Sequence, residues 1–323
     1  MEEELNNREF QSKDILKRKQ ELVQSKALAV VRTYDTFEHE SGKKDVSLCK
    51  NSRGEKFILR IGEVRTKQFF FKGYKGGSLI IPEILKQELM GVPYEFEEYL
   101  TGSLASEIAA NSGEGEIEPE LLEKLLSAFW EFQTIGKQAF LEQRFSIDKI
   151  VEHLHKAEGL SKNYAEVEKI IYQHRDFWNK GYPSKWKFAL DNLIITENNK
   201  VGLIDNAKIG LRYFGYDLGW LIWPLWVTMK TGYYRKTDEY LRYLNDFSHR
   251  VAETAPKEYS KIDVKKYFWL MILERIIGMY FDVANNTKHL RHWSIGLNEN
   301  HKRTKEYLSF LESILKHTLI KIS

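Results

Sequence analysis

Phe188-Ala189-Leu190-Asp191-Asn192-Leu193-Ile194-Ile195-Thr196, followed after the Asn198-Asn199 pair by Val201-Gly202-Leu203-Ile204-Asp205, reads as two short β-strands joined by a tight turn. Asn192 stands immediately before the first strand and Asp205 immediately after the second. The hairpin therefore predicts both side chains at one end of a rigid ribbon. An Asn amide oxygen and an Asp carboxylate are hard donors of the kind Mg²⁺ takes one or two at a time, its shell being completed by water and phosphate. Both residue types also favour turns, so hairpin end-caps are the alternative reading of the pair.

Upstream of this ribbon the texture is that of a small sheet. Short β-rich runs occupy Ala29 to Tyr34, Val46 to Cys49, Phe57 to Ile61, Glu83 to Glu88 and Tyr94 to Leu100, and Asn51-Ser52-Arg53-Gly54 between the second and third is a hairpin turn signal. Val64 to Lys75 reads as one helix ended by Gly76-Gly77, and residues 5–26 place apolar side chains among charges at helical spacing. After Gly102 the pattern turns helical, over 119–136, 147–180, 231–253, 262–286 and 299–320, with the hairpin as the one further β-rich passage. The expected organisation is α+β: an N-terminal helical extension over 1–27, a small five-stranded lobe over 28–101, and a larger, mainly helical lobe over 102–323.

Composition narrows the function classes. With 42% apolar and 29% charged residues, the 323-residue chain has ample core and is not of the disordered kind. Its 49 basic and 46 acidic residues are interleaved, which argues against a nucleic-acid partner. A single cysteine, Cys49, excludes an internal disulfide and a thiolate metal cluster and fits a reducing compartment. Met1 to Lys26 is charged throughout and lacks the apolar stretch of a signal peptide, so a cytoplasmic location is expected. The longest apolar segment, Tyr213 to Met229, contains Asp217 and Pro224 and falls short of the roughly 20 residues that cross a bilayer. It predicts a core helix and no membrane partner.

Taken in order, these segments resemble the aminoglycoside phosphotransferase and choline kinase group of the protein-kinase-like fold. Phe188 to Ile195, Gly202 to Asp205 and Tyr216-Asp217-Leu218 are similar to that family's H-G-D-x-x-x-x-N, I-D-W and Y-D-L segments. Phe57-Ile58-Leu59-Arg60 falls where the family has its third strand, and Glu98-Tyr99-Leu100-Thr101-Gly102 resembles its hinge, so the resemblance spans residues 28–225. It implies a bilobal fold, ATP and Mg²⁺ as cofactors, and a hydroxyl-bearing small molecule as acceptor. By the same resemblance Asn192 and Asp205 hold Mg²⁺ against the phosphates, Arg60 pairs with phosphate, and the backbone at Glu98, Tyr99 and Leu100 bonds adenine. Asp217 is then a structural carboxylate at a helix start, tying down the catalytic loop.

The sequence departs from the family where catalysis is concerned. Counting back five residues from Asn192, the family's catalytic Asp falls on Lys187, and the preceding His and Gly fall on Lys185 and Trp186. Residues 185–190 contain no carboxylate. A positioned general base contributes ~10²–10⁴ in rate, and a protonated lysine cannot act as one. The expected function is an ATP- and Mg²⁺-binding cleft with impaired catalysis, a pseudokinase, in which Lys187 could contact the γ-phosphate. Because phosphoryl transfer rests mainly on positioning and electrostatics, an active small-molecule kinase is the alternative. A scaffold that uses the fold without nucleotide is the second.

Other positions are also irregular. The helix expected after Arg60 offers no carboxylate over 64–75, Gln68 and Glu63 being the nearest polar candidates, and the phosphate-covering turn Glu40 to Asp45 holds one glycine. His153 and His155 point to different sides of a helix, and His289 and His292 lack a third ligand, so a solvated face is expected for both pairs. Trp178, Trp186, Trp220, Trp223, Trp226, Tyr233, Tyr234, Trp269 and Trp293 crowd the C-terminal half, and Trp220, Trp223 and Trp226, at helical spacing, are expected to fill core rather than to box a cationic amine.

Overall fold

The computed structural model describes residues 2–35, 44–62, 71, 73–88, 91–111, 117–139, 148–156, 158–159, 161–185, 187–206, 209–228, 236–285 and 301–323. In chain order the elements are α1 (Glu2–Ser25), β1 (Ala29–Asp35), β2 (Asp45–Lys50), β3 (Lys56–Ile61), β4 (Leu79–Ile80), β5 (Ile84–Glu88), β6 (Tyr94–Glu98), β7 (Gly102–Leu104), α2 (Ala105–Asn111), α3 (Pro119–Ala139), α4 (Asp148–Lys156), α5 (Tyr164–Gln173), α6 (Arg175–Trp178) and β8 (Tyr182–Ser184). A 3₁₀ turn over Leu190–Asn192 leads into β9 (Leu193–Thr196), β10 (Val201–Leu203), β11 (Gly210–Arg212), α7 (Tyr216–Thr228), α8 (Thr237–Glu253), α9 (Val264–Ala284) and α10 (His301–Ile322). They gather into two compact units, Met1–Ser103 with Ile194–Lys208, and Leu104–Leu193 with Ile209–Ser323.

The first unit is built on a five-stranded antiparallel sheet in the order β1-β2-β3-β6-β5. Side chains alternate across a strand, so Phe57, Leu59 and Ile61 of β3 share one face with Tyr94 and Phe96 of β6 and Cys49 of β2. Ile15 and Leu22 of α1 close that face, and Phe57 and Phe96 meet edge to face at 5.0 Å. Each large apolar side chain so buried contributes roughly 1.5–3 kcal/mol. Ion pairs fix the helix across the sheet: Arg18 to Glu88 at 2.8 Å and Lys19 to the buried Asp45 at 2.9 Å. The β2–β3 turn closes as the sequence suggests, with Asn51 Oδ1 accepting from the amides of Arg53 and Glu55 and Gly54 at φ +81°.

A second sheet of the same unit runs β4-β10-β9-β7, with β10 parallel to β4 through Val201↔Leu79 and Gly202↔Ile80. The β9–β10 turn puts Asn199 at φ +61°, a conformation asparagine tolerates, and its amide donates to Thr196 O at 2.8 Å. Two expectations need correction here. The helix read over 64–75 does not reach its end, because Lys75 bridges to Ile80 and Gly76 donates to Leu79 O; most of the remainder, residues 63–70 and 72, lies outside the described residues. Nor is the ribbon the one β-rich passage after Gly102, since β7, β8 and β11 are strands of three residues, too short to show a period.

The second unit centres on α9, which is apolar nearly all round: Phe268, Leu270, Met271, Ile272, Leu273 and Ile276 are completely buried. α4, α7, α8 and α10 pack against it, and Asp263 caps it by accepting from Lys266 N at 2.9 Å. The stretch read as long helices over 147–180 is three helices instead. Gly159, at φ +86°, breaks the run, and Glu312 of α10 takes hydrogen bonds from Ser161 Oγ at 3.0 Å and Asn163 Nδ2 at 2.5 Å, pinning the turn before α5. The apolar segment after Tyr213 forms α7, with Leu218, Leu221 and Ile222 fully buried. Trp178 and Trp269 are core, whereas Trp220, read as core from its spacing, is only half-buried and lies over the Arg275 guanidinium at 5.5 Å. His153 stacks on Phe281. Trp186, Tyr233, Tyr234, His289, His292, Trp293 and the side chains of Trp223 and Trp226 lie outside the described residues.

Candidate functional site

In the first unit the chemistry gathers on the sheet face opposite α1. Arg60 is registered with Glu95 across the β3–β6 ladder, and Glu97 is two residues along, on the same face. The guanidinium Nε donates to Glu97 Oε2 at 3.0 Å and lies 3.7 Å from Glu95 Oε1, with all three side chains buried. Burial works against the Arg60 charge, but Glu97 first, then Asp205 and Glu95, more than offset it and hold the guanidinium above its ordinary value. Two carboxylates on the neighbouring strand thus face Arg60.

Asp205 lies two residues beyond β10, half-buried, with φ +51°. Aspartate, like asparagine, enters the left-handed region more readily than other non-glycine residues. Its neighbour Asn206 is buried and donates from Nδ2 to Leu203 O at 2.6 Å, closing the turn that carries Asp205 off the strand. Glu98 ends β6, and Tyr99 and Leu100 follow it. The Glu98 amide donates to Glu83 O, its carboxylate accepts from the Glu83 amide and pairs with Lys75, Lys56 covers the Tyr99 ring, and Leu100 is buried against Gly202.

In the second unit, residues 185–192 form a loop held from inside. Asp217, buried at the start of α7, accepts from Ser184 Oγ at 3.0 Å and from the Lys185 amide at 2.8 Å. The tie that the sequence assigns to this residue is therefore present. Lys187 is exposed, yet its carbonyl points inward and accepts both Lys185 Nζ at 3.0 Å and Asn192 Nδ2 at 3.2 Å. An amide whose nitrogen is committed to a carbonyl presents its oxygen away from it, since two acceptors would otherwise face each other. Asn192 Oδ1 in this way faces away from the Lys187 carbonyl.

Asn192 in the second unit carries an amide oxygen and Asp205 in the first a carboxylate, each a donor type that suits a hard divalent cation. Among the described residues, no group of three or more His, Cys, Asp and Glu side chains could hold a metal, so such a cation would need ligand oxygens from a phosphate or water as well. Sequence reading missed Glu95, Glu97 and Lys185. Of the turn Glu40 to Asp45, expected to cover phosphate, residues 40–43 lie outside the described residues, as do Glu63, Gln68 and Trp186.

No protein-family model and no curated protein matches the sequence. Solved structures do match in shape. The amicoumacin kinase hAmiN, in complex with AMP-PNP, Ca²⁺ and Ami, aligns with a TM-score of 0.57 at 13% identity over 98% of this chain and 96% of its own. An aminoglycoside phosphotransferase, APH(4)-Ia, in ternary complex with ADP and hygromycin B, aligns at 0.48 with 9% identity over 92% and 97% of the two chains. An ethanolamine kinase of Plasmodium vivax aligns at 0.41 with 13% identity over 93% and 83%. At such identities the likeness is one of fold: the chain has the α+β, protein-kinase-like fold found in small-molecule kinases of the aminoglycoside phosphotransferase and choline kinase kind. No helix among the described residues is long and apolar enough to cross a membrane.

Proposed function

We propose that this chain is an aminoglycoside phosphotransferase-like protein that binds ATP with Mg²⁺ and is impaired in phosphoryl transfer, a pseudokinase. The observation that carries this reading is the bond from Asn192 Nδ2 to the Lys187 carbonyl, which turns the amide oxygen away from that carbonyl, while no carboxylate stands at 187. The loop keeps the geometry of a cation ligand and has lost the proton acceptor. The Asp205 carboxylate, and a fold match to a kinase complexed with AMP-PNP, support the nucleotide half of the proposal.

Asn192 and Asp205 would hold Mg²⁺, which when bound supplies charge neutralisation for the phosphates. Arg60 is held with Nε on Glu97, an arrangement that steadies the plane of the guanidinium for a phosphate oxygen. With the Glu98 amide already given to Glu83, adenine would be bonded by the backbone of Tyr99 and Leu100. The exposed Lys187 ammonium would add positive charge near the terminal phosphate and cannot accept a proton from an acceptor hydroxyl. A buried Cys49 as the sole cysteine fits a cytoplasmic location.

A thermal-shift titration of the full chain with ATP and Mg²⁺, beside Asp205→Ala, tests this reading. Ligand at 100 times its Kd stabilises by about 2.7 kcal/mol, a shift of a few degrees that Asp205→Ala should lose. No shift at saturation would favour the scaffold reading. Transfer of phosphate to a hydroxyl at an ordinary kinase rate would establish the active-enzyme reading instead. Lys187→Asp should restore turnover if only the base is missing.

A further inference from the structure

Lys185 is 1% exposed. Burying an ammonium costs several kcal/mol unless hydrogen bonds compensate, and an apolar residue of similar length would fill the same space without that cost. What the ammonium does here is specific. Nζ reaches the Lys187 carbonyl at 3.0 Å, and the second lone pair of that oxygen takes Asn192 Nδ2 at 3.2 Å, while the Lys185 backbone amide is itself fixed on Asp217 at 2.8 Å. A chain of contacts thus runs from α7 through Lys185 and one peptide carbonyl to the Asn192 side chain.

We propose that Lys185 is a positioning residue whose buried charge fixes the Lys187 carbonyl and, through it, turns Asn192 Oδ1 away from that carbonyl as a cation ligand. Only the identity of what Oδ1 meets rests on the nucleotide–Mg²⁺ reading; the orientation itself does not. A purely packing role for Lys185 predicts something different. It would weaken every property of the unit alike, whereas a positioning role acts through Asn192 alone.

The test compares the parent with Lys185→Met, Lys185→Arg, Asn192→Leu and the Lys185→Met/Asn192→Leu double variant. The Asn192 side-chain amide signals are identified in ¹⁵N NMR spectra by their loss in Asn192→Leu. They are expected to be resolved and slow to exchange in the parent, to collapse to free-amide values in Lys185→Met, and to return in Lys185→Arg. Mn²⁺ affinity in the presence of AMP-PNP, read by electron paramagnetic resonance, is expected to fall about 10-fold or more in Lys185→Met, as for loss of other groups that orient a metal ligand. The same change made in Asn192→Leu should have no further effect. Unmoved Asn192 signals in Lys185→Met, or an equal loss of affinity in both backgrounds, would overturn the inference. Failure of the parent to take up Mn²⁺ and AMP-PNP, with the Asn192 signals still moving, would sink the nucleotide reading while leaving the positioning relation in place. Should Lys185→Met not fold, Lys185→Gln keeps a donor without the charge or the reach and carries the same comparison.

Discussion

Arg60 Nε stands 3.0 Å from Glu97 Oε2 on a strand face where neither side chain is more than 10% exposed. Glu95 lies 3.7 Å from the same nitrogen, so the guanidinium is shared between two carboxylates one strand away. Removing the cation takes the Arg60 charge away from two buried anions at once, whereas neutralising one anion leaves the cation still paired. Arg60→Met should cost roughly 3–5 kcal/mol in urea unfolding, and Glu97→Gln, which keeps an acceptor, roughly 1–2 kcal/mol. Equal losses would mean that Glu95 contributes nothing to holding Arg60.

The arrangement shows where sequence reading reaches and where it stops. Arg60 is found from the strand Phe57-Ile58-Leu59-Arg60, but its partners could not be read from the helix that follows, because the pairing depends on β6 lying beside β3 in a particular register. The available signal was Tyr94-Glu95-Phe96-Glu97, aromatic and acidic side chains alternating on a strand buried on both faces. Long helical elements such as α3 and α9 were legible; β8 and β11, paired through Pro183↔Leu211, were not, since three-residue strands have no period and their contact is non-local. Asn192 stood out by its place before the hairpin, and Asp217 through the family resemblance of Tyr216-Asp217-Leu218. Lys185 did not, because a lysine in a sequence reads as solvated until the fold shows what surrounds it.

Two glycines of the first unit separate backbone constraint from side-chain crowding. A Cβ on Gly102, at φ +152°, would fall 2.2 Å from the Ile195 carbonyl oxygen, and one on Gly202 would fall 2.5 Å from Leu100 Cδ1. The carbonyl belongs to β9 and cannot move without breaking the sheet, while the leucine tip can rotate. Gly102→Ala should therefore destabilise by roughly 3 kcal/mol or more and Gly202→Ala by roughly 1–2 kcal/mol. Adding Leu100→Ala to Gly202→Ala should cost less than the two single losses summed, and strict additivity in denaturant melts would show that the two side chains do not meet.

Asp217 offers a way to loosen the loop without touching its ligands. Asparagine at this position can still accept from the Lys185 amide and meet the Ser184 hydroxyl, whereas alanine leaves both buried donors without this acceptor. Asp217→Asn should lose roughly 1 kcal/mol and Asp217→Ala roughly 2–4 kcal/mol, with exchange of the Lys185 amide hydrogen faster by about two orders of magnitude in the alanine variant. An unchanged exchange rate would show that the loop is held elsewhere.

Cys49 sits completely buried under α1, and burial pushes its thiol up to about 11, Lys19 working against the shift and Asp45 with it. In the unfolded chain the same thiol ionises near its ordinary value of about 8.5. The folded state therefore favours the protonated form. That preference is complete below about pH 8.5 and is lost as the pH rises toward 11, because the unfolded chain sheds the proton first and is stabilised by doing so. Other groups titrate in the same range, so the difference between the parent and Cys49→Ala isolates the thiol. The parent should exceed the variant in stability at pH 8, where the cavity left by the lost sulfur dominates, and its advantage should shrink by on the order of 2 kcal/mol by pH 11. Alkylation by iodoacetamide should be correspondingly slow at pH 8 in the native protein and rapid in denaturant. A stability gap that stays constant across this range, or fast labelling of the native thiol, would place Cys49 in contact with solvent and remove it from the core beneath α1.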